Sequence, residues 1–192
     1  PRGNPWSPSI PAISTVLSDL PLILRPLFWR QRRRYGAPLT PALVWARVPR
    51  LYGALLAFYA AIERRSSPLP PLLRALVQVR VSQLNHCAFC MDLNASIAAE
   101  RAGSMDKASA VDRWREHDGF DAGERLALEY AEAMSQTGCL VDDDLSQRLR
   151  RQFDEPTLIE LTALIAFQNM SARFNAALDI APQGLCRLPD QA

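Results

Sequence analysis

The fold of this chain is decided by one stretch of sequence, Ser82-Gln83-Leu84-Asn85-His86-Cys87-Ala88-Phe89-Cys90-Met91-Asp92-Leu93-Asn94. Asn85 is a favourable N-cap residue, and its position predicts a helix that runs to about Ala102, before Gly103. Cys87 and Cys90 would then lie in the first turn, where unpaired N–H groups and the helix dipole favour thiolate over thiol. The stretch therefore predicts a helix that begins with an activated cysteine pair.

The spacing of the reactive residues places them on one face of that helix. At about 100° per residue, Cys90 lies about 60° and Asn94 about 20° from Cys87, and the same face continues through Ala98 and Arg101. Two sulfurs three residues apart can approach bonding distance, so the pair can cycle between dithiol and disulfide without large backbone movement. This face is therefore a candidate redox site.

Two other interpretations of the cysteine pair stay open. Cysteine is often a small buried apolar residue without chemistry of its own. A structural zinc site needs four ligands, and the remaining candidates form no second ligand pair: His86, His117, Cys139 and Cys186. We therefore predict no metal, and we interpret Cys139 and Cys186 as structural or incidental.

Charge and proline content divide the chain near residue 80. The 192 residues carry a net charge of only +2, yet residues 1–80 carry +10 and residues 81–192 carry −8. Twelve of the fifteen prolines lie in residues 1–71. We predict a proline-broken basic helical arm over residues 1–66, a helical core over residues 67–180 and a tail over residues 181–192.

Apolar periodicity predicts an all-α protein of seven or eight helices. An amphipathic stripe interrupted by proline runs from Ile13 to Phe28, and a second helix is expected over about residues 41–64. Residues 77–81 alternate like a strand, but we interpret them as helix because no second strand-like run exists to pair with them. The later helices are expected to follow Ser66-Ser67-Pro68 and to cover residues 121–134, 144–153 and 156–178.

Several function classes lack their sequence signatures. The eight glycines form no phosphate-binding or nucleophile-elbow motif, and Lys107, the only lysine, lies in neither a P-loop nor a Schiff-base context. The longest apolar run, residues 51–62, is shorter than the roughly 20 residues that a membrane-spanning helix needs, and a cleavable signal peptide is not expected. These observations predict a cytoplasmic protein.

Three smaller features have competing interpretations. The cluster Arg30, Arg32, Arg33 and Arg34 beside Trp29 could contact anionic lipid or nucleic acid, but a solvated helix end or a subunit contact is favoured, so no nucleic-acid partner is predicted. Asp142-Asp143-Asp144 is interpreted as helix capping with first-turn acids rather than a metal site. Polar residues inside a late apolar run predict either buried hydrogen bonds or a pocket wall: Gln168, Asn169 and Arg173.

The cysteine segment and one late helix carry a family resemblance. Arg80-Val81-Ser82-Gln83-Leu84-Asn85, followed by Cys87-x-x-Cys90, resembles the core signature of the AhpD-like alkylhydroperoxidase and carboxymuconolactone decarboxylase family. Glu160-Leu161-Thr162-Ala163-Leu164-Ile165-Ala166, with Asn169 and Arg173-Phe174-Asn175, is similar to its closing helix, so the resemblance covers about residues 68–180. It implies an all-helical fold around a helical hairpin, homo-oligomers and, in thiol-bearing members, reduction of peroxides without a bound cofactor.

The resemblance also implies roles and exposes two departures. Cys90 would attack the peroxide and become sulfenic acid, and Cys87 would resolve it to a disulfide, although helix position alone favours Cys87 as the more acidic thiol. The family's relay glutamate and histidine correspond to Ala75 and Asn94, neither of which can accept a proton at neutral pH. His86 is the nearest replacement base, with capping or a solvent-facing role as the alternative. Asn94 could still donate a hydrogen bond to a thiolate or a peroxide oxygen.

We therefore predict an enzyme, a thiol-disulfide oxidoreductase that reduces hydroperoxides through Cys90 and Cys87, with Asn94 and His86 in the site and slow turnover. The expected partners are a hydroperoxide, a thiol or dithiol reductant and further copies of the chain, whose basic arms would meet acidic cores. The alternative is a redox-inert helical oligomer that binds a partner or, less favoured, a membrane surface through its arm. Lactone decarboxylation is less favoured still, because the decarboxylase branch generally lacks the cysteine pair.

Overall fold

Helices make up the regular structure of the chain. The computed structural model describes residue 15 and residues 21–186. Within them lie nine α-helices: α1 (Arg25–Tyr35), α2 (Thr40–Trp45), α3 (Pro49–Ile62), α4 (Pro71–Leu84), α5 (Ala88–Ala102), α6 (Asp106–Ser109), α7 (Ala122–Ser135), α8 (Asp143–Gln152) and α9 (Glu155–Ala177). Short 3-10 turns cover Leu22–Leu24 and Val111–Arg113. The predicted all-α class is confirmed, since the described residues contain no strand.

The prediction of a single helix over residues 41–64 is wrong. The chain forms α2 and α3 instead, because Pro49 lacks the N–H that a continuing helix needs and is better accommodated at the first position of a new helix. Residues 77–81 are helical as predicted and lie in the middle of α4. Of the predicted stripe in the arm, Ile13, Val16, Leu17 and Leu20 lie outside the described residues.

Helix α4 is the centre of the fold. It packs against α5, α7 and α9, and its residues from Leu73 to Val79 are all buried. A helix hydrophobic on nearly every side belongs in a core rather than at a surface. The α4–α5 hairpin that the family resemblance implied is therefore present, with the remaining core helices arranged around it.

Acidic N-caps fix the helices behind this hairpin. The Asp121 side chain accepts a hydrogen bond from the Glu124 N–H, and the Glu124 side chain accepts one from the Asp121 N–H, which is a complete capping box at the start of α7. Asp142 caps α8 through the Leu145 N–H at 2.8 Å, with Asp143 and Asp144 in the first turn. The capping interpretation of these three aspartates is confirmed.

One buried carboxylate ties α4 to α7. Glu132 accepts hydrogen bonds from Arg80 at 2.8 Å, Trp114 at 2.9 Å and Arg115 at 2.6 Å. Burial alone would raise the pKa of Glu132, but the hydrogen bonds from Arg115 and Trp114 and the charge of Arg80 outweigh it and hold the pKa below its ordinary value. Glu132 therefore stays ionised at neutral pH and holds the two helices together.

The basic arm packs on the core of the same chain. Trp45 of α2 stacks on Phe174 of α9, with ring centroids 3.9 Å apart. The side chain of Gln183 accepts a hydrogen bond from the Thr40 N–H at 2.8 Å and donates one to the Pro38 carbonyl at 3.2 Å. These contacts hold α1–α3 against one side of α5 and α9, where they form a wall of the site described next.

Candidate active site

The turn between α4 and α5 presents the cysteine pair. Asn85 is the C-cap of α4, and His86 follows it with a φ of 51°, in the left-handed region. Cys87 is the N-cap of α5, and its sulfur accepts a hydrogen bond from the Cys90 N–H at 3.2 Å. The prediction of Asn85 as the N-cap is wrong, because two more residues are needed to reverse the chain. The predicted end of the helix at Ala102, before Gly103, is confirmed.

The two cysteines form a disulfide in a buried setting. Their Cα atoms lie 5.2 Å apart, and Cys87 and Cys90 are 2% and 3% exposed. They share an apolar cluster with Val44 of the arm and Ala172 of α9. The pair can therefore exist in the oxidised form with the helices already in place, which is what a reversible dithiol requires.

A cavity of about 850 Å³ reaches Cys90 from outside. Helices α4, α5 and α9 form one wall and α1–α3 form the other, and the lining is mostly apolar. Cys90 belongs to this lining, whereas Cys87 does not. Of the two disulfide-bonded cysteines, one therefore lines the space that a substrate would enter.

Side-chain amides form the polar floor of the cavity and hydrogen-bond to a buried hydroxyl beneath it. Ser82 is fully buried, and its Oγ accepts hydrogen bonds from Asn94 Nδ2 and Gln168 Nε2, each at 3.0 Å. The same hydroxyl donates to the Gln78 carbonyl at 2.6 Å. Asn94, Gln168 and Gln78 all line the cavity. The floor is therefore hydrogen-bonded and uncharged.

Asn175 is the site residue that sequence reasoning missed. Its Nδ2 donates to the Cys90 sulfur at 3.2 Å, and it lines the cavity from α9. The only signal was a polar residue in the closing helix beside Arg173 and Phe174. The 85 residues that separate Asn175 from Cys90 hide their contact from any local pattern.

The structure brings together three of the four predicted site residues. Cys87, Cys90 and Asn94 lie at one end of α5, with Cys90 and Asn94 both in the cavity lining. His86 is exposed on the turn and lies outside that lining. Ala75, at the position of the family's relay glutamate, is completely buried in the core. The described cavity lining contains no histidine.

The late polar residues divide between two networks. Gln168 is both a buried hydrogen-bond donor and a cavity wall, so both predicted roles apply to it. Asn169 hydrogen-bonds Asn85 at 2.8 Å and Ser135 at 2.9 Å, and Arg173 donates to Asn85 at 3.0 Å. This second network holds the α4–α5 turn against α9 from the side away from the cavity.

Charged and phenolic groups also line the cavity. Glu63 pairs with Arg101 at 2.7 Å and accepts a hydrogen bond from Gln78 at 3.1 Å. Burial raises the pKa of Tyr52 to about 12. Tyr59 is 40% exposed as a residue, yet burial of its phenol, with a smaller contribution from the charge of Glu63, raises its pKa to about 12. Both phenols are therefore neutral donors at physiological pH.

The described part of the chain shows neither a cluster of metal-ligating side chains nor a membrane-spanning helix. It contains no group of three or more His, Cys, Asp or Glu side chains placed to hold a metal ion. None of its helices is both long and apolar enough to cross a bilayer. Cys139 and Cys186 are free thiols, and burial together with the charge of Asp92 raises the pKa of Cys186.

Comparison with known proteins agrees with the fold and the cysteine segment. The carboxymuconolactone decarboxylase family model matches residues 49–133, from α3 to α7. The chain is 51% identical to the uncharacterised Escherichia coli protein YnjA over 175 residues, which are 91% of this chain and 96% of that protein. The chain belongs to the carboxymuconolactone decarboxylase family. The resemblance inferred from the sequence is thereby confirmed, and the family match begins earlier than residue 68, within the predicted arm.

Two solved structures of similar proteins match the fold over most of this chain. The debrominase Bmp8 is 25% identical, with a TM-score of 0.78 over 88% of this chain and 90% of that one. A peroxidase-related protein from Silicibacter sp. is 21% identical, with a TM-score of 0.81 over 90% of this chain and 91% of that one. The latter likeness shows the fold alone. Both alignments extend over most of the described chain, arm included.

Proposed function

We propose that this family member is a thiol-disulfide oxidoreductase that reduces organic hydroperoxides with Cys90 and Cys87. The observation that carries the proposal is the placement of the two cysteines, because Cys90 lines the cavity and Cys87 does not. A substrate that enters the cavity meets Cys90, while Cys87 remains behind it to form the disulfide. This division matches the roles that the family resemblance implied.

The proposed reaction balances within the cysteine pair and one external reductant. The Cys90 thiolate attacks the O–H oxygen of the hydroperoxide, the O–O bond breaks, and the alkoxide leaves and takes up a proton as alcohol. Cys87 then attacks the sulfenic sulfur, water leaves, and the disulfide forms. Two electrons from a dithiol or from two thiols return the pair to the reduced state.

The residues near Cys90 support a slow version of this chemistry. Asn94 and Asn175 can stabilise negative charge by donating hydrogen bonds, but an amide cannot accept the thiol proton. The described residues that line the cavity offer two carboxylates, Glu63 and Glu100, and both are already paired with arginine. His86 is exposed and outside the lining, so it could take part only through water at the surface. Proton removal is therefore the expected slow step.

Reduction of a hydroperoxide by single-cysteine variants tests this proposal. Reduced wild-type protein is expected to consume cumene hydroperoxide and to lose two free thiols, measured by thiol titration. Cys90→Ser should lose the reaction, and Cys87→Ser should retain one turnover and stop at sulfenic acid. Cys139→Ser is the matched control, because Cys139 is exposed and lies outside the cavity lining. A Cys90→Ser variant with full activity would contradict the assignment.

Debromination is a second candidate, favoured by a specific likeness. Bmp8 is a debrominase, and a cysteine-to-alanine variant of it is known in complex with 2,3,4-tribromopyrrole. A cavity of about 850 Å³ with Cys90 in its lining could hold such a ring. The Cys90 thiolate would take bromine from carbon as a proton replaces it, and Cys87 would displace bromide to form the disulfide. Bromide release from 2,3,4-tribromopyrrole by reduced protein separates this candidate from hydroperoxide reduction.

The redox-inert alternative makes a different prediction for the thiols. If the pair is only structural, alkylation of reduced Cys87 and Cys90 should follow an ordinary thiol pKa near 8.5. An activated pair should instead react well below that pH. Alkylation rates measured against pH distinguish the two, and an ordinary titration for both thiols would favour a binding protein.

We also propose that copies of the chain associate through α3. The expected compartment is the cytoplasm, where thiol reductants are available. The outer face of α3 exposes an apolar stripe: Leu51, Ala54, Phe58 and Ala61. A contiguous exposed apolar stripe is typical of an interaction surface. Phe58→Glu is expected to lower the mass in solution measured by light scattering, and an unchanged mass would contradict this interface.

A further inference from the structure

Within the described part of the chain, the side-chain amide of Asn175 forms a hydrogen bond through its nitrogen but not through its oxygen. Its Nδ2 donates to the Cys90 sulfur, while its Oδ1 is buried and has no hydrogen-bond partner among the described residues. The residue is 2% exposed and lines the cavity. An unpaired acceptor that is shielded from water lowers stability, so such an atom calls for an explanation.

Its neighbours in the polar floor show what is unusual about it. Asn94 and Gln168 both direct their amide donors to Ser82, a partner within the protein. Asn175 directs its donor to the reactive sulfur instead, and no donor of the described residues reaches its oxygen. The free acceptor therefore lies beside the atom at which chemistry is proposed to start.

We propose that Asn175 binds the reacting end of the substrate, with Nδ2 on the Cys90 sulfur and Oδ1 accepting a hydrogen bond from the substrate's own O–H. This inference rests on the proposed function, in which Cys90 is the attacking thiol. Both hydrogen-bonding atoms belong to one planar amide, so the sulfur and the O–H oxygen are held side by side. Reacting atoms are brought to an attack distance of about 3–3.5 Å by this kind of arrangement.

The geometry selects which oxygen reacts and which substrates qualify. The oxygen that carries the proton is the one held next to sulfur, so it is transferred to Cys90 as sulfenic acid while the alkoxide leaves. A substrate must therefore present an O–H donor at the attacked atom. Hydroperoxides of any organic group that fits the cavity meet this condition, and a thiol reagent without a donor does not benefit from Asn175.

The test compares two reagents at the same cysteine. Reduced full-length protein is mixed with cumene hydroperoxide or with methyl methanethiosulfonate, which has no O–H or N–H donor. Modification of Cys90 is followed by peptide mass spectrometry across pH, so that each rate is expressed per thiolate. The variants are Asn175→Leu, which keeps the side-chain volume, and Asn175→Ala. Met170→Ala is the control, because Met170 lies on the same helix but is exposed and outside the cavity lining.

We expect the Asn175 variants to lower the hydroperoxide rate about tenfold, the loss of roughly one positioning hydrogen bond, and to leave the methanethiosulfonate rate within about threefold. Met170→Ala should change neither rate. Equal losses with both reagents would mean that Asn175 acts on the thiol alone and would overturn the inference, as would no loss with either. Failure of the proposed function looks different, because wild-type Cys90 would then react with methanethiosulfonate and not with hydroperoxide.

Discussion

The two walls of the cavity are built from different chemistry. The wall of α4, α5 and α9 carries the sulfur of Cys90 and the hydrogen-bonded groups around it, Ser82, Asn94 and Asn175. The wall of α1–α3 carries leucines and aromatic rings, with arginines toward the outside. Under the proposed function, reaction and substrate choice would fall to separate parts of the chain, and a change in each wall should have a different effect.

The walls also differ in how they are fixed. Side chains of the α4, α5 and α9 wall bond to one another in a buried network, so each partner depends on the rest. The arm is held by apolar packing around Phe28 and Tyr52 and by a few links such as Gln183. Apolar packing tolerates changes of shape better than a polar network tolerates the loss of one member.

The largest effect is expected where the reactive wall depends on one hydroxyl. Ser82→Ala removes the acceptor shared by Asn94 and Gln168 and leaves both amide donors buried without it. We expect a loss of about 2–4 kcal/mol in the free energy of unfolding, together with lower hydroperoxide activity, because both amides line the cavity. Urea denaturation and the peroxide assay measure the two effects.

Ser171→Ala is the matched control for that substitution. Ser171 lines the same cavity, but its hydroxyl makes no hydrogen bond within the described residues. Its replacement should change stability by less than about 0.5 kcal/mol. If the two alanine variants behaved alike, the reactive wall would not depend on its polar network, and the contrast between the walls would lose its basis.

A change in the arm should alter substrate choice and spare the chemistry. Leu56 lines the cavity from α3, and Leu56→Trp would fill part of the space in which an organic group is expected to lie. We expect kcat/KM for cumene hydroperoxide to fall about tenfold, an overpacking cost of roughly 1.4 kcal/mol, while kcat/KM for hydrogen peroxide stays within about twofold. Steady-state kinetics with the two substrates give the ratio.

A tryptophan at the neighbouring position provides the comparison. Ala57 lies on α3 as well but is exposed, outside the cavity lining and outside the proposed interface stripe, so Ala57→Trp should leave both kinetic constants unchanged. Equal losses for the large and the small peroxide in Leu56→Trp would show that the arm supports the reaction itself. The arm would then belong to the catalytic wall.

The sequence predicted the reactive wall better than the arm, for physical reasons. Cys87, Cys90 and Asn94 are close in sequence, so helical periodicity alone groups them. Asn175 and the arm reach the site through tertiary packing, which no local pattern records. The split of residues 41–64 into two helices depends on Pro49, which is compatible with either a kink or a new helix start. The N-cap of α5 is Cys87 and not Asn85, because the turn after α4 needs two more residues to reverse the chain, whatever the capping preference of Asn85.

The unlike charges of the two halves were expected to meet between subunits, and some meet within one chain instead. Arg34 of α1 pairs with Glu100 of α5 at 2.8 Å, across the outside of the cavity. Glu63, at the end of α3, pairs at 2.7 Å with Arg101, which lies on α5 next to Glu100. The first pair is open to water, with side chains 52% and 63% exposed, whereas Glu63 is nearly buried.

The smallest effect is expected at the more exposed of these two ion pairs, Arg34–Glu100. Glu100→Gln should cost less than about 1 kcal/mol of unfolding free energy at low salt, because exposed ion pairs gain little and salt screens them. Glu63→Gln should cost more, since it leaves Arg101 and the buried Arg74 facing a neutral group. Urea denaturation at low salt and at about 1 M salt measures both effects. The higher salt should abolish the effect of Glu100→Gln and retain most of the effect of Glu63→Gln. A large, salt-resistant loss in Glu100→Gln would show that the arm is fastened at the cavity mouth by charge, and the distinction between a polar wall and an apolar wall would have to be redrawn.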